Sequence, residues 1–227
     1  MVKDLTGLMN LTGVITKGNF GLDKETLDRT TQEFYDFCEQ AGIIGYPKGW
    51  VAKGTQFIDV ERYSSGISLA MAMADGNDYR IVEVGVGIIG IAGLAYLASK
   101  GISVLGIDSD NYAQTMANRL RVPFVLGRWE QLDIILREHG IDKLNAVYTA
   151  NMDPKPWKPS QLNSNVFEKQ TAIAMKNSLQ PGGIYIGSVW GTGDYLYPVQ
   201  PLVAQGFITI DVILDKHRII RIAQKTH

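Results

Sequence analysis

Apolar residues change their spacing twice along the chain. From Arg80 onward, short apolar runs such as RIVEV, ISVLGI and NAVYTA alternate with segments of helix length. Runs of this kind, bounded by turn residues, read as strands of a parallel sheet covered on both faces. The pattern predicts strands at 80–85, 102–107, 123–126, 144–150 and 183–189, and helices at 88–99, 110–120, 129–138 and 161–179. The alternation fails at the C-terminus. There FITIDVILDKHRIIRIAQK holds two Ile- and Val-rich runs around DKH, which predict a β-hairpin and one antiparallel strand. Before Arg80 the texture is helical. Asp23 is expected to cap a helix over 24–40, with Gly42 as its stop, and a second helix is expected from Val60 to Ala74. The segment GIIGYPKGWVAKGTQF between them reads as a loop.

The stretch VEVGVGIIGIAGLAYLASKGISVLGIDSD, from Val82 to Asp110, is a strand, a glycine-rich turn, a helix, a second strand and an acidic end. Gly85, Gly87 and Gly90 spell G-x-G-x-x-G. In a dinucleotide fold such glycines allow a tight turn, close backbone approach to a ligand and close helix–strand packing. The free N–H groups of the following helix favour an anion. Asp108 ends the second strand, where a carboxylate can accept both hydroxyl hydrogens of an adenosine ribose. These residues predict an adenosine cofactor and leave open which one.

At IVEVGVG, 81–87, the chain resembles the class I S-adenosylmethionine-dependent methyltransferases. Glu83 fills the acidic position that this family places two residues before the first glycine. S-adenosylmethionine has no phosphate and carries an ammonium and a sulfonium, so a carboxylate by the turn attracts it and repels a pyrophosphate. LQPGGIYIG, 179–187, is similar to the turn into the family's fifth strand, and the terminal hairpin to its last two strands. The resemblance implies a Rossmann-like, doubly wound, mostly parallel seven-stranded sheet over 79–227, with a helical N-terminal cover or substrate lid over 1–78. It implies S-adenosylmethionine held by Glu83, Gly85, Val86, Gly87, Asp108 and Ser109; Gly90, one residue after the family's usual third glycine, and Asn151, by its position after strand four, join the expected cofactor site. The family's adenine-binding acid is replaced by Arg128 and Trp129. The indole either stacks on adenine, or its backbone binds the ring edge, or it packs in the core.

Ligands of open α/β sheets lie beyond the carboxyl ends of the strands. The loop after strand four carries Asn151, Asp153 and a proline-stiffened DPKPW; the loop after strand five carries Asp194, Tyr195 and Tyr197. Asp153 is the candidate catalytic base for a protonated acceptor, with Tyr195 as the alternative. Tyr46, Trp50, Phe57 and Tyr63 of the N-terminal cover would shape an apolar pocket.

Composition narrows the classes. The 227 residues are 45% hydrophobic, enough for a full core. The 22 basic and 23 acidic residues leave a net charge of -1, which disfavours nucleic acid and points to a small-molecule acceptor. Lys155, Lys158 and Arg128 are the residues that could form a local basic patch. Cys38 is the only cysteine, so no disulfide within the chain is expected, and no histidine or carboxylate cluster predicts a metal. The start MVKDLTGLMNLTG lacks signal-peptide texture, and the most apolar stretch, 81–98, carries Glu83 and several glycines; a cytoplasmic protein is expected, and a homodimer is compatible with these features. The expectation is therefore a methyltransferase acting on a small molecule. An NAD(P)-dependent oxidoreductase and a non-catalytic adenosine-binding domain are the alternatives.

Overall fold

The structure is a computed structural model that describes residues 22–43, 56–74, 79–150, 164–190, 197–214 and 218–226. Two helices come first, α1 (Lys24–Gln40) and α2 (Gln56–Met73). An alternating run follows: β1 (Arg80–Val84), α3 (Gly87–Ser99), β2 (Ser103–Asp108), α4 (Asn111–Leu120) and β3 (Phe124–Leu126). A single 3₁₀ turn (Trp129–Gln131) leads into α5 (Leu132–Glu138), then β4 (Leu144–Ala150), α6 (Ser164–Ser178) and β5 (Leu179–Trp190). The chain ends with α7 (Val199–Ala204), β6 (Phe207–Ile213) and β7 (Arg218–Lys225).

The seven strands form one sheet in the order β3-β2-β1-β4-β5-β7-β6. Strands β1 to β5 pair in parallel, and β7 runs antiparallel to both β5 and β6. The predicted architecture, hairpin included, is the observed one. Element ends differ by a few residues. The largest differences are four-residue early starts: α2 begins at Gln56, and β5 begins at Leu179 because its register jumps across the Pro-Gly-Gly turn, from Leu144↔Leu179 to Ala146↔Ile184. The predicted helix over 129–138 splits into the 3₁₀ turn and α5. Helix α7, six residues long, was too short for its periodicity to be read.

Side-chain alternation along the strands divides the interior into two cores. On one face, Ile81, Ala146, Tyr148, Ile184, Ile186 and Ile222 join α1, α2, α3 and α4. On the other, Val82, Val84, Val147, Tyr185 and Ala223 join α5, α6 and α7. Helices α1 and α2 thus share one core with the sheet: Phe34, Cys38, Ile67 and Leu69 are buried in the same cluster as the strand residues. The boundary drawn at 78/79 from sequence texture marks a change of element type, and the described helices pack as a layer against the sheet. The Asp23 cap is as expected, its carboxylate accepting from Thr26 N at 2.9 Å. Helix α3 is apolar on every side because it is enclosed by α1, α2, α4 and β2. Among the described residues no helix is long and apolar enough to cross a membrane.

Candidate functional site

The parallel strands β1 and β2 end side by side, with Val84 level with Ile107. The chain leaves β1 through Gly85 and enters α3 at Gly87, both with positive φ (71° and 51°), a conformation that side chains with a Cβ rarely adopt. Gly85 N donates to Ile107 O at 2.8 Å, which ties the turn to the end of β2. Among the described residues, a Cβ on Gly87 would meet nothing within 4 Å.

Helix α3 has no side-chain cap of its own. The cap comes from the neighbouring strand. Asp108 Oδ2 accepts from Gly87 N at 3.0 Å, while its Oδ1 accepts from Asp110 N at 3.0 Å. One carboxylate thereby spans the start of α3 and the turn into α4, whose own cap is Asp110, accepting from Tyr112 N. Asp108 is half-buried and Ser109 exposed beside it. The half-exposed carboxylate retains acceptor lone pairs for a further hydroxyl.

Glu83 lies on β1 beneath the first turn of α3 and is 1% exposed. A Cβ on Gly90 would stand 2.6 Å from Glu83 Oε1 and 2.9 Å from its Cδ. The third glycine of the motif is therefore where the carboxyl meets the helix. Glu83 Oε1 has no hydrogen-bond partner among the described residues. Burial, reinforced by the Asp108 charge, raises the Glu83 pKa well above the usual carboxylate range; a hydrogen bond with Tyr63 opposes this. Val86 is fully buried, and its carbonyl accepts from Gly90 N at 2.9 Å.

Several candidates do not reach this turn. Trp129 is 3% exposed, with its ring 5.1 Å from Tyr197 and 6.3 Å from Tyr185 in the opposite core. Its indole is a packing group, which corrects the stacking alternative. Arg128 is exposed and pairs at 3.7 Å with Glu130. Tyr197 is also corrected: it is buried, its hydroxyl 2.7 Å from Thr171 Oγ1 and donating to the Glu168 carbonyl. Tyr63 is buried against Tyr148, edge to face at 6.2 Å, rather than lining an open pocket. Asn151, Asp153, Lys155, Lys158, Asp194, Tyr195, Tyr46, Trp50 and the Phe57 side chain lie outside the described residues. Two clefts of about 410 and 550 Å³ lie elsewhere, lined by Glu168, Lys169 and Gln200 and by Asp133, Arg137 and Lys143. Among the described residues no group of three or more His, Cys, Asp or Glu could hold a metal. Cys38 is buried, its thiol pushed up to about 12 by burial, and is not a nucleophile at neutral pH.

The link between Tyr63 and Glu83 was missed in the sequence. The signal available was Gly66, a glycine amid buried serines in α2. A Cβ there would stand 2.4 Å from the Tyr148 ring, so the glycine marks a close approach of helix and strand.

No family model matches the chain, and no curated protein resembles it significantly in sequence. Solved structures do resemble it in fold. The N-methyltransferase NodS from Bradyrhizobium japonicum WM9 aligns over 74% of this chain and 96% of its own, with a TM-score of 0.52 at 12% identity. MtNAS, in complex with MTA and tNA, aligns over 97% of this chain and 81% of its own, with a TM-score of 0.51 at 10% identity. The glycopeptide N-methyltransferase MtfA complexed with S-adenosyl-L-homocysteine aligns over 70% and 90%, with a TM-score of 0.50 at 13% identity. The chain has the class I S-adenosylmethionine-dependent methyltransferase fold.

Proposed function

We propose that the protein is an S-adenosylmethionine-dependent methyltransferase acting on a small-molecule acceptor. The observation that carries this reading is the pair of carboxylates at the β1–α3 turn. A pyrophosphate would need the N–H groups at the start of α3, and the first of these, Gly87 N, already donates to Asp108. Beneath the same turn lies the buried Glu83, with an unpartnered oxygen. Two acids and no described cation at a helix N-terminus suit a ligand that carries positive charge and a ribose, and oppose a dinucleotide. The residues fit S-adenosylmethionine in a second respect, since Gly85 and Gly87 keep the backbone bare at the point of approach.

In this reading Asp108 accepts the ribose hydroxyls, with Ser109 beside it. Gly85, Val86, Gly87 and Gly90 form the turn that faces the amino acid portion, and Glu83 is its counter-charge. Asn151 and the backbone around Arg128 and Trp129 complete the cofactor site, and Asp153 and Tyr195 orient or deprotonate the acceptor. S-adenosylmethionine supplies a methyl carbon activated by the attached sulfonium. The protein's part is alignment, and holding an acceptor in line can supply about 7–11 kcal/mol of the barrier. The near-neutral charge supports a small acceptor rather than nucleic acid.

Calorimetric titration with S-adenosylhomocysteine, NAD and NADP tests the reading. Micromolar binding of the first, with none of the nucleotides, is the expected result. Binding of NAD or NADP alone would overturn it.

A further inference from the structure

Glu83 stands in the sheet between Gly106 of β2 and Tyr148 of β4. Few charged or titratable groups face it from the elements packed around it. Helix α2 contributes the Tyr63 hydroxyl and β2 the Asp108 carboxylate. Strand β4 contributes Tyr148, whose hydroxyl is 2.9 Å from Ser188 Oγ. Helix α3 contributes Gly90, which brings no side chain at all. Glu33 of α1 is engaged elsewhere, by the Tyr96 hydroxyl at 2.7 Å and Lys100 Nζ at 3.0 Å. Among the described residues the carboxyl therefore sits buried with an anion nearby, an oxygen unpartnered and no cation acting on it.

We infer that binding of S-adenosylmethionine, or of its product S-adenosylhomocysteine, at the Gly85–Gly90 turn releases one proton from Glu83, and that Tyr63 is the positioning residue for that release. The inference rests on the cofactor reading above. A buried neutral carboxyl has an O–H to donate, and the Tyr63 oxygen receives it. The Tyr63 O–H in turn points to the Val86 carbonyl oxygen, 3.5 Å away. When a ligand cation reaches the turn, the charged form of Glu83 gains a counter-charge. The proton passes to solvent, the Tyr63 hydroxyl donates to the new carboxylate, and the ligand's ammonium balances the charge. The Val86 carbonyl keeps its bond from Gly90 N, so no acceptor is orphaned. Because Tyr63 belongs to α2, the helical layer is tied to the charge state of the cofactor turn.

The test is calorimetry of the full chain with S-adenosylhomocysteine in two buffers of different ionisation enthalpy, at about pH 6 and upward. The ligand's own α-amino group titrates near about 8 and stays charged at the lower end. The expected result is proton release on binding, close to one per ligand at pH values below the ionisation of Glu83 in the free protein, with affinity rising about tenfold per pH unit until that ionisation. Glu83→Gln should abolish both effects. Tyr63→Phe removes the hydroxyl that favours the charged form, so proton release should persist to higher pH. Binding by the wild type without proton release overturns the inference and leaves the cofactor reading intact, as does proton release that survives Glu83→Gln. Failure to bind S-adenosylhomocysteine at any pH overturns both. If Glu83→Gln does not fold, Tyr63→Phe decides alone, and a release profile identical to that of the wild type overturns the inference.

Discussion

The two faces of the sheet use buried polar groups differently. On the α5–α7 face, hydroxyls are matched in pairs: Thr149 Oγ1 with the Tyr185 hydroxyl at 2.8 Å, and Thr171 Oγ1 with the Tyr197 hydroxyl at 2.7 Å. Between these lies an aromatic cluster of Trp129, Phe167, Tyr185 and Tyr197. Apart from the indole nitrogen of Trp129, the polar groups named in that core are partnered. On the α1–α4 face, Glu83 is an acid buried with no cation among the described residues and with an oxygen unpartnered there. A group that costs stability in that way is retained where it serves a ligand more often than where it serves packing. In the proposed reading the α5–α7 face is scaffold, and the α1–α4 face carries the cofactor turn at the strand ends.

The tightest helix–strand approach is at Gly66. Gly66→Ala would place a methyl 2.4 Å from ring atoms of Tyr148, and the ring is fixed between α2 and the sheet. It should cost about 3 kcal/mol in urea unfolding, the upper part of the overpacking range. Gly127→Ala, at the same 2.4 Å, meets only the flexible end of Ile135 and should cost less than about 1 kcal/mol. Equal losses would show that the helix–strand contact is not the tight one.

Asp108→Ala comes next. It removes the acceptor for Gly87 N and Asp110 N together with the proposed ribose contact. S-adenosylhomocysteine affinity should fall by about 100-fold, equivalent to about 2.7 kcal/mol. The accompanying loss of stability should be about 1 kcal/mol, the scale of lost caps and hydrogen bonds.

The third effect is a pH slope. The folded-state pKa of Glu83 is raised, so the native state binds a proton that the unfolded state has lost. Its contribution to stability is fully present below the unfolded carboxyl pKa, and is lost as pH rises through the raised folded value. Without ligand, wild-type unfolding free energy should decline over that window, and Glu83→Gln should flatten the decline. A parallel slope in the variant would mean that another group titrates.

The smallest effect sharpens the other face. The Trp129 Nε1 has no partner to lose. Trp129→Phe should cost about 1–2 kcal/mol of packing and leave S-adenosylhomocysteine affinity unchanged. A tenfold loss of affinity would return the indole to the cofactor site.

Much of this was written in the chain order. Short apolar runs, glycine punctuation and the terminal Ile-rich hairpin determined the strands and their sequence, because strands buried on both faces read as short continuous apolar runs. G-x-G-x-x-G and the acid at 108 located the turn, since only bare backbone fits a positive φ beside an open face. The tertiary structure decided what those residues do. Gly90 looked like a packing glycine, and its neighbour proves to be the Glu83 carboxyl. Trp129 and Tyr197 looked available to a ligand, and both are buried in the far core. Tyr63 reaches Glu83 across twenty positions of sequence, through a helix–strand contact that Gly66 permits. Local pattern fixes which face of an element is apolar; the partner across that face, and hence the charge state of a buried acid, is set only when the elements dock.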